Sequence, residues 1–143
     1  MNFLLDTNVI CETTKPKPHK GVVTFLTEIP AERCFLSVLT IGEIRKGIAK
    51  LQLEQVKSQR LQLWIEHDLL RAFNQRILPI NVEVADKWGY LLGNSKKTLP
   101  AIDSLIAATA LCFNLTLVTL NTDDFSHFPI EILDPFTSAY EHS

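Results

Sequence analysis

The stretch Asn2-Phe3-Leu4-Leu5-Asp6-Thr7-Asn8-Val9-Ile10 is an apolar run that is interrupted abruptly by an acid and two polar residues. A continuous run such as Phe3-Leu4-Leu5 is typical of a strand buried on both faces, as in the middle of a parallel sheet. Asp6 is then expected at the carboxyl end of that strand, before a turn into a helix. In open α/β sheets this edge is where ligands bind. An Asp at this position also caps the following helix, so the stretch alone leaves both roles open.

Length and composition limit the possible classes of protein. The 143 residues predict one domain over 1–143, and a chain of this length buries roughly 70% of its unfolded surface. The hydrophobic fraction of 46% is that of a globular protein, and the net charge of −2 excludes a wide basic surface. Any chemistry on nucleic acid would therefore need positive charge from another source, and a divalent metal ion is the obvious one.

The cysteines and the apolar segments predict the cellular compartment of the protein. Cys11, Cys34 and Cys112 are widely spaced and form no CxxC pair, so we expect free thiols in a reducing compartment. The N-terminus lacks the basic segment and long apolar core that are typical of a signal peptide, so we expect none. The longest apolar region, 104–120, contains too many polar residues for a membrane span. We expect a cytoplasmic protein that does not enter a membrane.

Strand and helix patterns alternate along the whole chain. Predicted strands cover 2–5, 34–36, 77–80, 115–119 and 130–132. Predicted helices cover 19–29, the stripe Ile41, Ile44, Ile48 and Leu51, and then 54–73, 84–93 and 100–113. This alternation predicts an α/β fold with a parallel sheet of about five strands and helices on both faces. Pro79 indicates that the third strand lies at an edge, and the polar segment 94–98 reads as flexible.

Several acids follow the predicted strands, and each has a local structural explanation. Glu43 could form a capping box with Thr40, Asp103 complements the dipole of the helix after Pro100, and Asp124 could cap a short helix. Their common placement is not explained in this way. Each is expected at the carboxyl end of a strand or on the first turn of the helix after it, and these positions face one edge of a right-handed parallel sheet.

Carboxylates that converge in one crevice repel each other, and burial adds to the cost. A hard divalent cation removes both problems, because Mg²⁺ and Mn²⁺ prefer oxygen ligands. Such an ion makes water more acidic and polarises a phosphoryl oxygen. The pattern therefore indicates hydrolysis of a phosphodiester.

Four segments, in order along the chain, together carry a resemblance to a known family: Leu4-Leu5-Asp6-Thr7-Asn8, Leu39-Thr40-Ile41-Gly42-Glu43-Ile44, residues 100–110 and residues 117–125. The chain resembles the PIN-domain family, and more narrowly the VapC-type toxin ribonucleases of toxin–antitoxin pairs. Each motif is short, but the four in sequence cover essentially the whole chain.

The resemblance implies a PIN-like fold with strand order 3-2-1-4-5 and a Mg²⁺- or Mn²⁺-dependent ribonuclease. It places the metal-binding and catalytic acids at Asp6, Glu43 and Asp103, and it implies a homodimer that a cognate antitoxin inhibits. The family's fourth acidic position falls on Asn121 here. We expect Asn121 to serve as a polar metal ligand or to anchor a water, with Asp124 as the second candidate.

Two other classes compete with this hypothesis. A Mg²⁺-dependent phosphatase of the haloacid-dehalogenase type also places an Asp after its first strand, but it requires a second acid where this chain has Asn8. A non-catalytic interaction domain would use every acid as a helix cap. Thr7 and Asn8 have two open roles as well: they could orient waters or a scissile phosphate, or they could be ordinary turn residues.

An antitoxin could insert an Arg or Lys among the carboxylates in place of the metal. Further affinity would come from an apolar groove near the helices at 19–29 and 38–73, where Leu53, Val56 and Leu63 exceed what one inward stripe requires. The same residues could equally line the core or a homodimer interface.

Overall fold

The computed structural model describes residues 1–137, so the last six residues of the predicted domain lie outside the described part. Five parallel strands form one sheet in the order β3-β2-β1-β4-β5. The strands are β1 (Phe3–Leu5), β2 (Cys34–Ser37), β3 (Ile77–Leu78), β4 (Thr116–Val118) and β5 (Ile132–Leu133). Both the predicted strand order and the predicted edge position of the third strand are confirmed.

Eight α-helices surround this sheet in residues 1–137. They are α1 (Thr7–Glu12), α2 (Lys20–Glu28), α3 (Val38–Ala49), α4 (Gln55–Leu63), α5 (Leu70–Ala72), α6 (Val82–Gly93), α7 (Ala101–Cys112) and α8 (Thr122–Phe125). A 3-10 turn covers Ala31–Arg33, and a π-helical segment, Trp64–Leu69, joins α4 to α5. The helix predicted over 54–73 is therefore present, but its middle is wound more widely than the α-helical period implies.

The start of α3 differs from the prediction. Ser37 is the N-cap residue, and its hydroxyl accepts from the backbone N–H of Leu39 at 3.0 Å. Thr40 lies inside the helix, where its buried hydroxyl has no partner among residues 1–137. The predicted Thr40–Glu43 capping box is wrong, because the serine at the end of β2 already caps this helix. Glu43 is left without a capping role.

The sheet divides the core into two parts because successive side chains of β1 point to opposite faces. Phe3 and Leu5 pack in one core with side chains from α1 to α4 and from the π-helical segment. Leu4 packs in the other core with α6, α7 and α8. The prediction of helices on both faces is therefore confirmed. Full burial of Ala107, Ala108 and Ala110 lets α7 lie close against the sheet.

The strand order places β1 and β4 side by side at the point where the chain changes direction across the sheet. Crevices outside the carboxyl ends of the strands at such switch points are the usual ligand sites of open α/β folds. The backbone N–H of Asp6 continues the pairing by donating to the carbonyl of Val118 at 2.9 Å. Asp6 is thereby fixed at the mouth of this crevice.

Within residues 1–137, no helix has the length and apolar character needed to cross a bilayer.

Candidate active site

Asp6 is a buried carboxylate at the end of the central strand, and its side chain is only 8% exposed. Its Oδ1 accepts from the backbone N–H of Thr7 at 2.8 Å, so Asp6 does cap α1. Its Oδ2 accepts from the hydroxyl of Thr119 at 2.8 Å and, more weakly, from Nδ2 of Asn8 at 3.4 Å. A carboxylate has about four lone-pair sites. Three are used here, and the remaining one is on Oδ1.

Thr119 and Asn8 tie the ends of β1 and β4 together. The Thr119 hydroxyl donates to Asp6 and accepts from Nδ2 of Asn8 at 3.3 Å and from the backbone N–H of Asn121 at 3.0 Å. Oδ1 of Asn8 accepts from the backbone N–H of Leu120 at 3.1 Å. Asn8 is therefore a bridge between two strand ends and not an ordinary turn residue. We call Asp6, Asn8 and Thr119 the switch-point triad.

Glu43 approaches from the other side of Asp6, on α3. The hydroxyl of Thr7 donates to Glu43 Oε1 at 2.7 Å. Thr7 thus links α1 to α3 and holds one oxygen of an otherwise exposed carboxylate. Its other oxygen, Oε2, accepts no hydrogen bond from residues 1–137, so it is available to a water or a ligand.

Asp103 lies in the first turn of α7, and its side chain accepts no hydrogen bond from another described residue. Burial raises the pKa of this carboxyl. The negative charges of Asp124, Asp6 and Glu43 add to the rise, while the charge of His127 lowers it. These interactions show that the acids from four separate segments share one electrostatic environment.

The pKa of Asp6 is also raised, first because the group is buried. Hydrogen bonds from Thr119, Thr7 and Asn8 lower this pKa in part, and the charge of Asp124 raises it again. Asn121 occupies the N-cap position of α8, but its side chain makes no capping hydrogen bond. Of the two candidates for the fourth position, Asp124 carries the charge that acts on both buried acids.

The donor set fits a hard cation that keeps part of its water shell. Among the residues described, no three His, Cys, Asp or Glu side chains stand close enough together to enclose an ion by themselves. Mg²⁺ is normally held by one or two carboxylates and retains several waters. One free lone pair on Asp6 and the unpartnered carboxylate of Asp103 meet that requirement, and a cation would offset both the burial and the repulsion that raise the two pKa values.

A largely apolar groove runs from the site across the face formed by α1, α3 and α4, and its volume is about 640 Å³. We call it the α3–α4 groove. Thr7 and Glu43 line the end next to the site, and the floor and walls include Cys11, Ile44, Ile48, Leu51, Leu61 and Trp64. Burial raises the pKa of Cys11 to about 11, and the charges of Glu43 and Asp6 contribute to this rise. Its thiol is therefore protonated and acts as an apolar wall of the groove.

The residues that the sequence singled out for such a groove lie elsewhere. Leu53, Val56 and Leu63 are strongly exposed, but none of them lines the groove. Side chains of α3 and α4 such as Ile44, Ile48 and Leu61 line it instead.

Sequence reasoning did not identify Thr119 as part of the site. The only available signal was a polar residue at the carboxyl end of a buried strand, next to the Asn121 motif. A threonine in a strand is ordinary, because β-branched residues favour strands. Its role depends on the pairing of β1 with β4, which brings its hydroxyl to a carboxylate 113 positions away.

Fold and site together define an open α/β protein with an acidic crevice at the switch point of its sheet. The model of the PIN domain matches residues 3–131, and the chain belongs to this family.

Individual relatives match over nearly their whole length. Toxin FitB of Neisseria gonorrhoeae is 36% identical, with 94% of this chain and 98% of the relative covered. VapC ribonuclease Y4jK of Sinorhizobium fredii is 29% identical, with 96% and 99% covered. The crystal structure of FitAcB from Neisseria gonorrhoeae superimposes with a TM-score of 0.86 at 36% identity, covering 94% of this chain and 98% of that one. A toxin–antitoxin complex from Klebsiella pneumoniae gives a TM-score of 0.68 at 27% identity, covering 94% and 98%.

Two of the buried threonines, Thr119 and Thr40, predict different effects of the same substitution. Thr119→Val removes the donor to a buried carboxylate, and we expect it to lower the free energy of unfolding by about 1–3 kcal/mol. Thr40→Val removes a buried hydroxyl that has no partner, so the variant should be as stable as the parent or more stable. Urea unfolding at pH 7 without metal measures both. Equal destabilisation by the two substitutions would contradict the assigned hydrogen bonds.

The raised pKa values predict an unusual response of the metal-free protein to acid. Asp6 and Asp103 bind protons more tightly in the folded chain than in the unfolded one, where the ordinary value is 3.8. Protonation therefore favours the folded state, and these two groups add stability as the pH falls from 7 towards that value. Asp103→Asn should flatten this part of the curve and unfold at pH 7 no more easily than the parent. Thermal melts in chelator between pH 7 and 4 test this.

Asp6→Asn is not an equivalent variant. Oδ2 of Asp6 accepts hydrogen bonds from both Thr119 and Asn8. An amide nitrogen in the same position would face these two donors and could accept from neither. Asp6→Asn should therefore be less stable than Asp103→Asn in the same melts, although both remove one negative charge. The opposite order would show that the triad does not hold Asp6 as described.

Proposed function

We propose that this chain is a divalent-metal-dependent endoribonuclease toxin that hydrolyses RNA phosphodiester bonds and is inhibited by a cognate antitoxin. One observation carries the proposal: Asp6, Glu43, Asp103 and Asp124 share one electrostatic environment at the switch point of the sheet. The names of the relatives, a toxin and a ribonuclease, support the same reading. RNA as substrate and reduced cysteines are in keeping with work in the cytoplasm.

Asp6 and Asp103 hold Mg²⁺ or Mn²⁺ in this proposal, with Glu43, Asn121 and Asp124 contributing through water. When bound, the ion polarises a phosphoryl oxygen and makes water more acidic. The switch-point triad fixes the Asp6 carboxylate so that the free lone pair on Oδ1 keeps one direction. Asp103 has no competing hydrogen bond from residues 1–137 and supplies the second carboxylate.

Glu43 is the group best placed to accept a proton in the proposed reaction. Thr7 anchors its Oε1, which leaves Oε2 free to orient a water and to accept a proton from it. Its position on α3, where it caps nothing, indicates a role other than helix stabilisation. The backbone N–H of Asn121 donates to the Thr119 hydroxyl at 3.0 Å, and we propose that its side-chain amide binds a water or a phosphate oxygen.

The competing classes have less support. A phosphatase of the haloacid-dehalogenase type needs a second acid at Asn8, but here the Asn8 side chain is engaged with Thr119, Asp6 and Leu120. A non-catalytic domain would use the acids as caps. Only Asp6 does so, since Glu43 lies within α3 and α7 has no side-chain cap.

The antitoxin is proposed to occupy the α3–α4 groove with an apolar helix and to place an Arg or Lys among the carboxylates. The groove has the apolar lining that such a helix requires, and it opens onto the site at Thr7 and Glu43. A cation at the end of the helix would replace the metal and pair with acids that otherwise repel each other.

The exposed apolar residues outside the groove suit a different partner. Leu53, Val56 and Leu63 are 98%, 84% and 58% exposed. Because they lie on the outer side of the α4 region, a helix in the groove leaves them uncovered. We propose that they contribute to contact between two copies of the chain, in keeping with the expected homodimer.

The proposed function predicts that the protein cleaves RNA when a divalent metal ion is present. The purified protein should cut single-stranded RNA in Mg²⁺ or Mn²⁺ and lose this activity in chelator. Asp103→Asn should reduce cleavage by about 100-fold or more, because the carboxylate acts directly at the reacting centre. Its melting temperature should no longer rise on addition of Mn²⁺, whereas that of the parent should rise by linkage. Full activity in Asp103→Asn would remove this residue from the site.

The fourth position is decided by the same assays on matched variants. If Asn121 is a weak oxygen ligand, Asn121→Asp should tighten Mn²⁺ binding and Asn121→Ala should weaken it. If Asp124 supplies the charge, Asp124→Asn should weaken binding more than Asn121→Ala does. Parental metal affinity in all three variants would exclude this segment from the metal site.

Another prediction concerns the binding of the antitoxin to the α3–α4 groove. Gly47 lines the groove, and a Cβ atom added there would have no atom within 4 Å apart from those of its own stretch of helix. Gly47→Gln should therefore keep the fold and weaken the antitoxin complex at least tenfold by filling the groove. Gly89→Gln on α6 is the matched control, since its position is equally open but lies on the other face of the sheet.

Hydrogen exchange on the complex gives an independent measure. The antitoxin should protect α3 and α4, which form the groove. Protection confined to α6, or equal affinity of the two glycine variants, would show that the antitoxin binds elsewhere.

A further inference from the structure

A second groove opens on the other face of the sheet, between the end of α6 and the segment after α8. Its volume is about 710 Å³, which is within the range of about 300–1,000 Å³ typical of ligand sites. We call it the α6–α8 groove. Asp123 of α8 lines it together with Ser126 and His127, which follow α8 directly, and α8 also carries Asp124. The groove therefore lies beside the acidic crevice.

Its lining combines positive charge with an exposed aromatic ring. Lys96 and Lys97 both line the groove, and no ion pair within residues 1–137 involves either of them. Tyr90 lines the same groove and is 66% exposed. The α3–α4 groove also contains basic residues, Lys15, Lys57 and Arg60, but Lys15 pairs with Glu12 at 2.9 Å and most of the lining of that groove is apolar.

The segment that carries the lysines is held by local hydrogen bonds, although its sequence reads as flexible. The hydroxyl of Ser95 donates to the carbonyl of Lys97 at 3.0 Å and accepts from its N–H at 3.1 Å. Nδ2 of Asn94 donates to the carbonyl of Tyr90 at 2.8 Å, which ties the segment to the last turn of α6. The two lysines and the ring are thus presented together.

A strand of RNA that reaches the metal site needs local positive charge, because the chain as a whole carries −2. Phosphates are neutralised by lysines, and an unpaired base stacks on an aromatic face. Both kinds of group line this groove, next to the α8 segment that carries Asp124. An apolar helix would find fewer contacts here than in the α3–α4 groove.

We propose that the α6–α8 groove is the subsite for the RNA strand next to the scissile phosphate, with Lys96 and Lys97 on its phosphates and Tyr90 stacked on a base. This inference rests on the proposed ribonuclease function and specifies how that site takes its substrate. Asp123, also in the lining, repels phosphate and keeps the backbone on the lysine side. Single-stranded RNA fits this arrangement, because a paired base is not free to stack on the ring.

Binding of a short, fluorescently labelled single-stranded RNA tests the proposal. It is measured by anisotropy in Ca²⁺, which prefers the same oxygen ligands as Mg²⁺, and a gel verifies that the RNA stays intact. The double variant Lys96→Gln/Lys97→Gln should bind about tenfold more weakly at 50 mM salt, and the slope of log affinity against log salt should fall by about 1.4. Lys20→Gln/Lys50→Gln removes the same charge from exposed positions outside the groove and should have little effect.

The ring is tested by a matched pair. Tyr90→Leu should weaken binding by about 5- to 100-fold, whereas Tyr90→Phe keeps the stacking face and should bind like the parent. Parental affinity in Tyr90→Leu and in the double lysine variant would overturn the proposal. A change of oligomeric state in the double lysine variant, with unchanged RNA affinity per chain, would also overturn the proposal. It would identify the groove as a contact between two copies of the chain.

Cleavage by the parent protein separates this proposal from the one on which it rests. If the parent cuts RNA in Mn²⁺ and the groove variants bind as it does, the subsite is wrong and the ribonuclease function stands. If the parent neither binds nor cuts RNA, both proposals fail.

Discussion

A negative charge buried at the end of the central strand is the constraint on which the rest of this structure depends. The Asp6 carboxylate lies at the end of β1, where water cannot fully solvate it, and other acids raise the cost of keeping it ionised. Three donors offset part of that cost, one from the next residue, one from α1 and one from the end of β4. Two neighbouring strand ends are therefore held in register by the same group that a cation would bind. Site geometry and sheet geometry cannot be altered independently.

The sheet separates the surroundings of this charge into two chemically different halves. On the face of α3 and α4 an apolar groove reaches Glu43, and on the face of α6 and α8 a groove with lysines and a tyrosine reaches Asp123, next to Asp124. The two grooves share no lining residue and lie on opposite faces of the sheet. In the proposed function, the inhibitor and the substrate therefore arrive by different routes and compete for the charge at the centre, not for one common surface.

The fold was accessible from the sequence because its signals are local. Buried runs such as Leu115-Thr116-Leu117-Val118 and stripes such as Ile41, Ile44 and Ile48 predict strands and helices directly, and their alternation predicts a parallel sheet. The position of Asp6 was accessible for the same reason. The triad was not, since the role of Thr119 depends on a partner far along the chain. The capping box failed because two candidate caps, Ser37 and Thr40, lie three residues apart, and only the end of β2 determines which one starts the helix.

The separation of Asp6 from Thr119 along the chain also sets when the site comes into existence. During synthesis β1 can pair with β2 as soon as Ser37 has emerged, but the other side of β1 stays open until β4 is made. At ribosomal rates of roughly 5–20 residues per second, the 82 residues between Ser37 and Thr119 take about 4–16 s. Throughout that interval Asp6 lacks its hydroxyl donor, and Asp103 is itself synthesised only 16 residues before Thr119. A nascent chain therefore passes most of its time on the ribosome without a finished crevice, close to the messenger that encodes it.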